Sequence, residues 1–378
     1  MSDDPRIPSP CYVLEEVRLR DNLSVLSRVE AEAGVQIILA FKAFATWAVF
    51  PIVREYLSGA TASSLYEAKL CVEHMGQLAH TYSPAYLPED FGAILDRSSH
   101  LTFNSIGQYQ QYRAQVAAHP NVISCGLRIN PEYVEVETEL YNPCAPGSRL
   151  GVVASQLETG LPIGIEGLHF HNLCESNSYA LEATLQSVEK HFGHLLPQVK
   201  WINMGGGHLI TGKDYDVDHL ITLLKRFKAR HDVHIILEPG SAIAWQVGFL
   251  KTRVLDIVEN NEIKTAIIDA SFTAHMPDTL EMPYRPIIRG AVAASSDAWA
   301  YRIGGVSCLA GDYLAEYHFA SPLKVGQVLL FEDMIHYTMV KTTMFNGVKH
   351  PSIALWTAQG TPQILRAFTY ADFKSRLS

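Results

Sequence analysis

The sequence predicts a (β/α)8 barrel of the TIM type followed by an antiparallel β-domain, and two patterns support this fold class. From residue 35 to residue 240, eight short apolar runs alternate with helical segments. Such alternation is typical of parallel strands joined by right-handed helical crossovers, and eight units favour a barrel over an open sheet. After residue 248 the runs become β-rich, with turns between them and little helical periodicity.

The start of the chain predicts an entry segment, a helix and the first barrel strand. Residues 7–14 form a short extended segment that we expect to join the β-domain, and residues 35–42 form an apolar run that ends in Lys42. Between them, residues 15–33 have helical spacing. The apolar side chains on one face of this helix are Leu19, Leu23, Leu26 and Val29. A second helix is predicted after Lys42, with an apolar face made of Trp47, Phe50, Val53 and Leu57.

The remaining barrel elements continue the alternation. Further strands are predicted at residues 60–64, 79–83, 100–105, 124–130, 164–171, 201–206 and 234–240. Helical segments are predicted at residues 65–76, 107–117, 178–196 and 217–230. Residues 131–151 stand where another helix is expected, but they contain three prolines and therefore predict an irregular, functional loop.

These patterns divide the chain into three parts. Residues 1–20 are an N-terminal segment expected to join the β-domain, residues 21–248 form the barrel, and residues 249–378 form the C-terminal β-domain. The β-rich runs of the last part are residues 249–259, 264–268, 301–306, 328–331 and 338–344.

Composition excludes several classes of protein. With 378 residues, 48% of them hydrophobic and 18% charged, the chain has the material for a large folded core. Its formal net charge of −9 argues against nucleic-acid binding and is compatible with a cationic substrate. The six cysteines are scattered without a C-x-x-C pair, so neither a zinc site nor a disulfide framework is expected. The polar, acidic N-terminus and the absence of a membrane-spanning apolar run predict a cytoplasmic protein.

Two basic side chains at predicted strand ends could carry chemistry. Lys42 would lie in the barrel mouth, where desolvation lowers the pKa of an amine and makes it nucleophilic; a lysine that extends to solvent is the alternative. His171 ends the sixth strand and could stack on an aromatic cofactor or move protons, whereas His169 fits a core histidine better. Metal binding by this pair, with Glu175 as a third ligand, matches no standard motif and is not expected.

Two further motifs end the last two barrel strands. The stretch Gly205 to Gly207 exposes backbone N–H groups that could hold a phosphate, although glycine triplets also form ordinary turns. Glu238 could keep a pyridine nitrogen protonated, or it could cap the following turn. Lysine, histidine, glycine loop and carboxylate, all at strand C-termini, together predict a pyridoxal phosphate site.

These motifs resemble a known enzyme family. Ala40-Phe-Lys42, His171-Asn-Leu-Cys-Glu175, Gly205-Gly-Gly-His208 and Glu238-Pro-Gly240 are similar to motifs of the alanine-racemase-fold (fold type III) pyridoxal-phosphate amino-acid decarboxylases, such as those of ornithine, arginine and diaminopimelate. Gly305-Val-Ser-Cys308-Leu-Ala-Gly-Asp312 resembles the cysteine loop that the partner subunit supplies in this family. Tyr337 and Phe345-Asn-Gly347 match by spacing, and the resemblance covers about residues 8–350.

Within the family, a smaller group is most similar. Ser148-Arg-Leu-Gly151, His275-Met-Pro-Asp278 and the run at residues 281–286 look most like the carboxynorspermidine (carboxyspermidine) decarboxylases, which produce norspermidine and spermidine. The resemblance therefore implies decarboxylation in polyamine biosynthesis, by a homodimer whose active sites are shared across the interface.

The resemblance also implies a role for each matching residue. Lys42 would hold the cofactor covalently, His171 would stack on its ring and Glu238 would pair with the ring nitrogen. Cys308 would donate a proton after carbon dioxide leaves. The implied phosphate-binding residues are Gly205, Gly206, Gly207, Gly240 and Ser241, with Tyr337 beside them. The expected substrate-binding residues are Asp312, Asp278, Glu281 and Arg149, although Asp278 and Glu281 could also be surface carboxylates.

Three positions depart from the family pattern. Leu309 stands where an acidic residue usually follows the loop cysteine, Ser241 replaces the usual arginine after Glu-Pro-Gly, and Thr61 replaces an aspartate. The first two departures weaken ornithine and diaminopimelate as substrates, which remain the alternative within the decarboxylases. A racemase would want a second catalytic base, typically a tyrosine, where Cys308 stands. A non-catalytic carrier of pyridoxal phosphate would have no use for the additional β-domain and its cysteine loop.

Overall fold

A computed structural model describes residues 4–135, 139–282 and 284–378. Residues 1–3 of the N-terminal segment, residues 136–138 of the predicted functional loop, and residue 283 of the run at 281–286 lie outside the described residues.

The chain forms two compact units. The barrel unit comprises Asn22–Ile243, and the sheet unit comprises Met1–Asp21 together with Ala244–Ser378. The boundaries after residues 20 and 248 stay predictions about where the folding domains end. Strands are numbered β1 to β18 and helices α1 to α12 in chain order. The first elements are β1 (Cys11–Glu15), which belongs to the sheet unit, and α1 (Glu16–Ala33), whose predicted apolar face is fully buried.

The barrel unit contains a nine-stranded sheet in which every pair of neighbours is parallel. The predicted barrel fold is confirmed. Its strands are β2 (Gln36–Ile37), β3 (Leu39–Ala40), β4 (Ala60–Ala62), β5 (Ala79–Tyr82), β6 (Ser98–Phe103), β7 (Ser124–Arg128), β8 (Ile165–His169), β9 (Trp201–Asn203) and β10 (His234–Leu237).

Eight predicted runs give nine strands because the first run divides. β2 pairs with β10 and β3 pairs with β4, so one continuous run joins both ends of the sheet. Ile38, between them, donates its N–H to the carbonyl of Leu237 at 2.9 Å, and Leu39 donates to Gly59 at 3.2 Å. These bonds in opposite directions bring the sheet close to a closed barrel.

One large side chain explains two glycines in the barrel strands. A Cβ atom on Gly126 would lie 2.2 Å from the Trp201 ring, and one on Gly167 would lie 2.0 Å from it. Trp201 is buried, and its Nε1 donates a hydrogen bond to Ser124 Oγ at 2.8 Å. Both glycines therefore make room for an indole ring that fills the barrel interior.

Helices follow most of the barrel strands, and polar caps determine where several of them begin. Side chains of Ser64, Ser105, Asn177 and Asp216 each accept a backbone N–H from the first turn of the helix that follows. These helices are α2 (Phe50–Val53), α3 (Leu65–Leu70), α4 (Pro88–Leu95), α5 (Ile106–Ala117), α6 (Ser178–Phe192), α7 (Val217–His231) and α8 (Ser241–Ala244).

Two predicted helices differ in the structure. The one predicted over residues 65–76 changes at Cys71–Met75 into a π-helical turn, which ends at Gly76 with φ of 70°. The one predicted after Lys42 is a 3-10 turn, Trp47–Val49, followed by the short α2. Trp47 is 53% exposed and stacks on His74, whereas the other three residues of the predicted apolar face are buried.

The sheet unit contains the second nine-stranded sheet, in the order β13-β15-β14-β12-β11-β1-β17-β18, with β16 paired to β11. Its strands are β1, β11 (Gly248–Asn260), β12 (Ile263–Ile268), β13 (Ala291–Val292), β14 (Trp299–Gly304), β15 (Tyr313–Phe319), β16 (Val328–Glu332), β17 (Ser352–Trp356) and β18 (Pro362–Arg366). Its short helices are α9 (Phe272–His275), α10 (Asp278–Glu281), α11 (Tyr337–Val340) and α12 (Tyr370–Lys374).

Two predictions for this unit need correction. The sheet is mixed rather than antiparallel, because β1 lies parallel to β17 and β12 lies parallel to β14. A parallel pair needs a long crossover, and residues 269–298 supply one between β12 and β14. Residues 338–344, predicted as a strand, contain most of α11, where the buried Thr338 donates its hydroxyl to Asp278 instead of joining a sheet. Over the described ranges, no helix is both long and apolar enough to cross a membrane.

Candidate active site

The barrel unit brings the predicted cofactor-binding residues, except Tyr337 of the sheet unit, to one rim. Lys42 follows β3, His171 follows β8, Gly205 to Gly207 follow β9, and Glu238 follows β10. Because all barrel strands are parallel, their carboxyl ends meet at the same face of the barrel.

Lys42 and His171 are in direct contact. Lys42 Nζ lies 2.8 Å from His171 Nε2. Although solvent reaches the lysine side chain at the open rim, desolvation, followed by the positive charge of Arg128, lowers the pKa of Lys42 to about 8. Burial, followed by the charge of Lys42, holds the pKa of His171 well below its usual range. Near neutral pH the imidazole is therefore neutral, and part of the lysine population is a free amine.

The second nitrogen of His171 contacts the glycine loop. Its Nδ1 lies 3.2 Å from both the backbone nitrogen and the carbonyl oxygen of Gly206. With the proton on Nδ1, His171 donates to the carbonyl and Nε2 accepts from the Lys42 ammonium. With the proton on Nε2, the ring accepts the Gly206 N–H and donates to a neutral lysine. The tautomer of His171 is therefore linked to the protonation of Lys42.

The glycine loop has no space for side chains. A Cβ on Gly205 would lie 2.6 Å from the carbonyl oxygen of Phe170, and one on Gly207 would lie 1.9 Å from that of Leu173. Gly205 and Gly207 also have positive φ angles of 67° and 90°. A Cβ on Gly240 would lie 2.5 Å from Ala43 Cβ, and Ser241 follows it as the first residue of α8. The loops after β9 and β10 thus form a cradle of bare backbone, as phosphate binding requires.

Glu238 lies at the same rim, and two neutral side chains, Asn203 and Thr61, bond to its carboxylate. Asn203 Nδ2 donates a hydrogen bond to Glu238 Oε1 at 2.6 Å, and the Thr61 side chain also hydrogen-bonds to the carboxylate. Burial raises the pKa of Glu238, while Asn203 and Lys42 oppose the rise. His169 Nε2 is 3.9 Å from Oε2, but burial holds the pKa of His169 well below its usual range, so it supplies no charge. The carboxylate is suited to share a proton with a ring nitrogen.

Sequence reasoning missed the residues that support these groups. Arg128, only 5% exposed, donates to the His171 carbonyl at 3.0 Å and to Tyr82 Oη at 2.8 Å. Tyr82 in turn donates to Asn104 Oδ1 at 2.9 Å. An arginine inside an otherwise apolar strand run was the available signal, because a buried guanidinium requires partners. Asn203 was also missed, although it stands two residues before the predicted glycine motif.

Arg149 is exposed, and its backbone is tied to this network. Asn104 Nδ2 donates to the Arg149 carbonyl at 2.8 Å, and Asn104 Oδ1 accepts the N–H of Gly151 at 2.9 Å. These contacts hold the end of the loop at residues 131–151. A role for the Arg149 side chain in substrate binding stays a prediction.

In the sheet unit, the two predicted amine-binding carboxylates differ. Asp278 is 8% exposed, and its Oδ2 accepts hydroxyl groups from Thr338 at 2.8 Å and Tyr284 at 3.1 Å. Among the described residues, its buried Oδ1 has no hydrogen-bond partner. Glu281, by contrast, is at the surface and forms an ion pair with Lys341. Of the two carboxylates, Asp278 is therefore the buried one, with an oxygen that no described residue bonds.

The cysteine loop of the sheet unit is held by its own residues. Cys308 is exposed and donates its backbone N–H to Asn346 Oδ1 at 2.7 Å. Asp312 is 4% exposed, and its carboxylate accepts the Ser307 hydroxyl at 2.6 Å and the Thr273 N–H at 3.1 Å. Asp312 therefore braces the loop that presents Cys308, and its predicted contact with substrate stays a prediction. Tyr337 begins α11, and its place beside a phosphate also stays a prediction.

Fold and site together define a pyridoxal-dependent decarboxylase, and the chain belongs to that family. The family model described as pyridoxal-dependent decarboxylase, C-terminal sheet domain, matches residues 11–335, which confirms the predicted family. The family implies pyridoxal phosphate, and the residues fit it: an amine of lowered pKa, a carboxylate whose side chain is only 12% exposed, and a glycine loop whose backbone no side chain covers. Across the described ranges, no cluster of three or more His, Cys, Asp or Glu side chains could hold a metal ion.

Two relatives and one solved structure place the chain more closely. It is 52% identical to the carboxyaminopropylagmatine decarboxylase of Synechocystis sp., over 99% of this chain and 97% of that protein. It is 43% identical to the carboxynorspermidine/carboxyspermidine decarboxylase of Campylobacter jejuni, over 98% and 99%. The crystal structure of the carboxynorspermidine decarboxylase from Campylobacter jejuni, complexed with norspermidine, aligns with a TM-score of 0.91 at 41% identity, covering 98% of this chain and all of that one.

Proposed function

We propose that this decarboxylase acts on a carboxylated polyamine, converting carboxynorspermidine to norspermidine and carboxyspermidine to spermidine. The observation that carries the proposal is the arrangement of Lys42, His171 and Glu238 at one barrel rim. It occurs in a chain that aligns over nearly its full length with enzymes of this specificity.

Each barrel residue has a separate proposed role. Lys42, partly neutral near pH 7, is the amine that attaches the cofactor, and His171 controls where its proton goes. Glu238 holds a proton at the ring nitrogen, and the bare backbone of Gly205 to Gly207, with Gly240 and Ser241, binds the phosphate. When bound, pyridoxal phosphate supplies a cationic ring that accepts the electrons left by departing carbon dioxide.

Proton return and assembly involve the sheet unit. Cys308, exposed on a braced loop, is the proposed proton donor after carbon dioxide leaves. We propose that it acts in the active site of a second copy, so that the enzyme is a homodimer with shared sites. A cytoplasmic location, suggested by the polar N-terminus and the lack of a membrane-spanning apolar run, stays a prediction.

Asp278 is the proposed partner of a cationic group of the substrate. A buried carboxylate oxygen without a hydrogen-bond partner is costly, and an ammonium group would remove that cost. The net charge of −9 also favours the approach of a cation. Glu281 contributes less, because Lys341 already neutralises it.

A second candidate substrate is carboxyaminopropylagmatine. The relative that acts on it shares 52% identity with this chain, against 43% for the Campylobacter jejuni relative. This substrate ends in a guanidinium, which a carboxylate such as Asp278 binds as readily as an ammonium. The chemistry at the barrel rim is the same for both candidates.

Carbon dioxide release tests the proposal. The purified enzyme, loaded with pyridoxal phosphate, is offered carboxynorspermidine, carboxyspermidine, carboxyaminopropylagmatine, meso-diaminopimelate and ornithine in parallel. Release from the first two supports the main proposal, and a much higher kcat/KM for the guanidino compound selects the second candidate. Release only from diaminopimelate or ornithine would overturn both.

A further inference from the structure

Asn203 connects two elements of the cofactor site that the sequence treats as separate. It is the last residue of β9 and is 3% exposed. Its Nδ2 donates to Glu238 Oε1 at 2.6 Å, while its Oδ1 accepts the backbone N–H of Gly205 at 2.9 Å. One amide thus contacts both the ring-nitrogen carboxylate and the first residue of the phosphate loop.

The surrounding backbone makes this link stiff. Glu238 donates its own N–H to the Gly205 carbonyl at 2.7 Å, and the carbonyl of Asn203 accepts the N–H of Phe170 at 2.9 Å. Gly205 has positive φ and no side chain, so hydrogen bonds and close packing determine its position. A change at Asn203 would therefore move Gly205 and Glu238 together.

We propose that Asn203 is a positioning residue that couples phosphate binding at the glycine loop to the carboxylate that faces the ring nitrogen. This inference rests on the proposed function, since it concerns the same cofactor. The amide suits the task because its nitrogen donates to a carboxylate while its oxygen accepts an N–H, so two separate atoms reach the two partners. An aliphatic side chain can do neither, and a hydroxyl would have to reach both partners through one oxygen. An ordinary buried asparagine would contribute to stability without linking the glycine loop to Glu238.

Three variants separate these roles. Asn203→Ala removes both hydrogen bonds, whereas Asn203→Asp keeps the acceptor for Gly205 and replaces the donor to Glu238 by a second carboxylate oxygen. Thr61→Val is the matched control, because Thr61 bonds to Glu238 and has no bond to the glycine loop among the described contacts. Thr61→Val therefore perturbs Glu238, which faces the cofactor ring, and leaves the glycine loop unchanged.

Each apoprotein is titrated with pyridoxal phosphate and with pyridoxal, which lacks the phosphate. The ratio of the two affinities reports how well the glycine loop binds the phosphate. The pH at which the absorbance of the bound cofactor changes reports the environment of the ring beside Glu238. In Asn203→Ala we expect the ratio to fall about tenfold to a hundredfold and the pH midpoint to move. In Thr61→Val only the midpoint should move, and Asn203→Asp should keep most of the ratio while shifting the midpoint.

The outcomes distinguish a failure of this inference from a failure of the proposed function. If the wild-type chain binds no pyridoxal phosphate, the proposed function itself fails. If the wild type binds and Asn203→Ala leaves the affinity ratio unchanged, the coupling is overturned. Should Asn203→Ala fail to fold, the nearly isosteric Asn203→Asp decides, and an unchanged pH midpoint in that variant would reject the inference.

Discussion

The neighbours of Lys42 change its protonation. A lysine in water has a pKa of about 10.4, so only a very small fraction is neutral near pH 7. Desolvation at the barrel rim, and then the charge of Arg128, lower the pKa of Lys42 to about 8. About a tenth of the population is then a free amine at pH 7, ready to attach a carbonyl compound.

Cofactor capture should follow this pKa. Because a lowered pKa means that the proton leaves at lower pH, the rate at which apoprotein captures pyridoxal phosphate should rise about tenfold per pH unit below 8 and level off above it. Stopped-flow absorbance measures the rate. Lys42→Ala should give no covalent capture. A midpoint near 10 in the wild type would contradict the role of desolvation.

Asp278 and Glu281 should respond differently to removal of charge. Asp278→Asn replaces a buried carboxylate that has an unpartnered oxygen among the described residues. KM for the polyamine should therefore rise about tenfold to a hundredfold, with a smaller change in kcat. Glu281→Gln should change KM by less than about threefold, because an exposed ion pair contributes little. Steady-state kinetics of the two variants compare them directly. Equal effects would remove Asp278 as the cation-binding residue.

At the scale of elements, the loop after β9 packs closely against the backbone of the segment after β8. Gly207 lies so near the Leu173 carbonyl that any side chain would collide with it, and its φ of 90° is unfavourable for other residues. The loop that packs against the segment after β8 is the same loop that is proposed to bind the phosphate. Packing and function therefore impose the same requirement on this residue.

Gly207→Ala should abolish tight cofactor binding. The added Cβ would lie 1.9 Å from the Leu173 oxygen, so the loop must shift, at a cost of about 1–3 kcal/mol in stability. Gly92→Ala, inside helix α4, is the control. A Cβ at this position would meet only the end of the Gln115 side chain, at 3.9 Å. Cofactor titration and thermal unfolding test both variants. Normal cofactor affinity in Gly207→Ala would count against the loop as the phosphate site.

At the scale of the whole molecule, the two units carry different parts of the proposed chemistry. The barrel unit holds Lys42, His171 and Glu238, whereas the sheet unit holds Cys308 on a loop that Asp312 braces. The family resemblance places that loop in the active site of a partner subunit. This arrangement can be tested without a structure of the dimer.

Mixing two inactive variants tests the shared site. Lys42→Ala and Cys308→Ala should each lose most activity, yet subunit exchange between them should restore about a quarter of the wild-type value. Half of the dimers would then be mixed, and each mixed dimer would have one intact site of two. Activity after co-refolding or long incubation is the measurement. No recovery, with exchange confirmed by mass spectrometry, would show that each site uses residues of one chain.

The sequence by itself determined the barrel and predicted most of the proposed site, because both leave local signals. Apolar runs that end in Lys42, in a glycine triplet or in Glu238 can be recognised one strand at a time, and parallel pairing then brings their ends to one rim. The starts of helices such as α5 and α7 depend on a single capping residue, which is also local.

Only the tertiary structure decided what depends on pairing between distant segments. The division of residues 36–40 between two neighbours, and the parallel pairing of β1 with β17, follow from hydrogen bonds to distant strands. The bridge that Asn203 makes to Glu238 depends on the register of β9 against β10. Periodicity reports which face of an element is buried, but not which partner it meets there, and that partner gives Asn203 and Arg128 their roles.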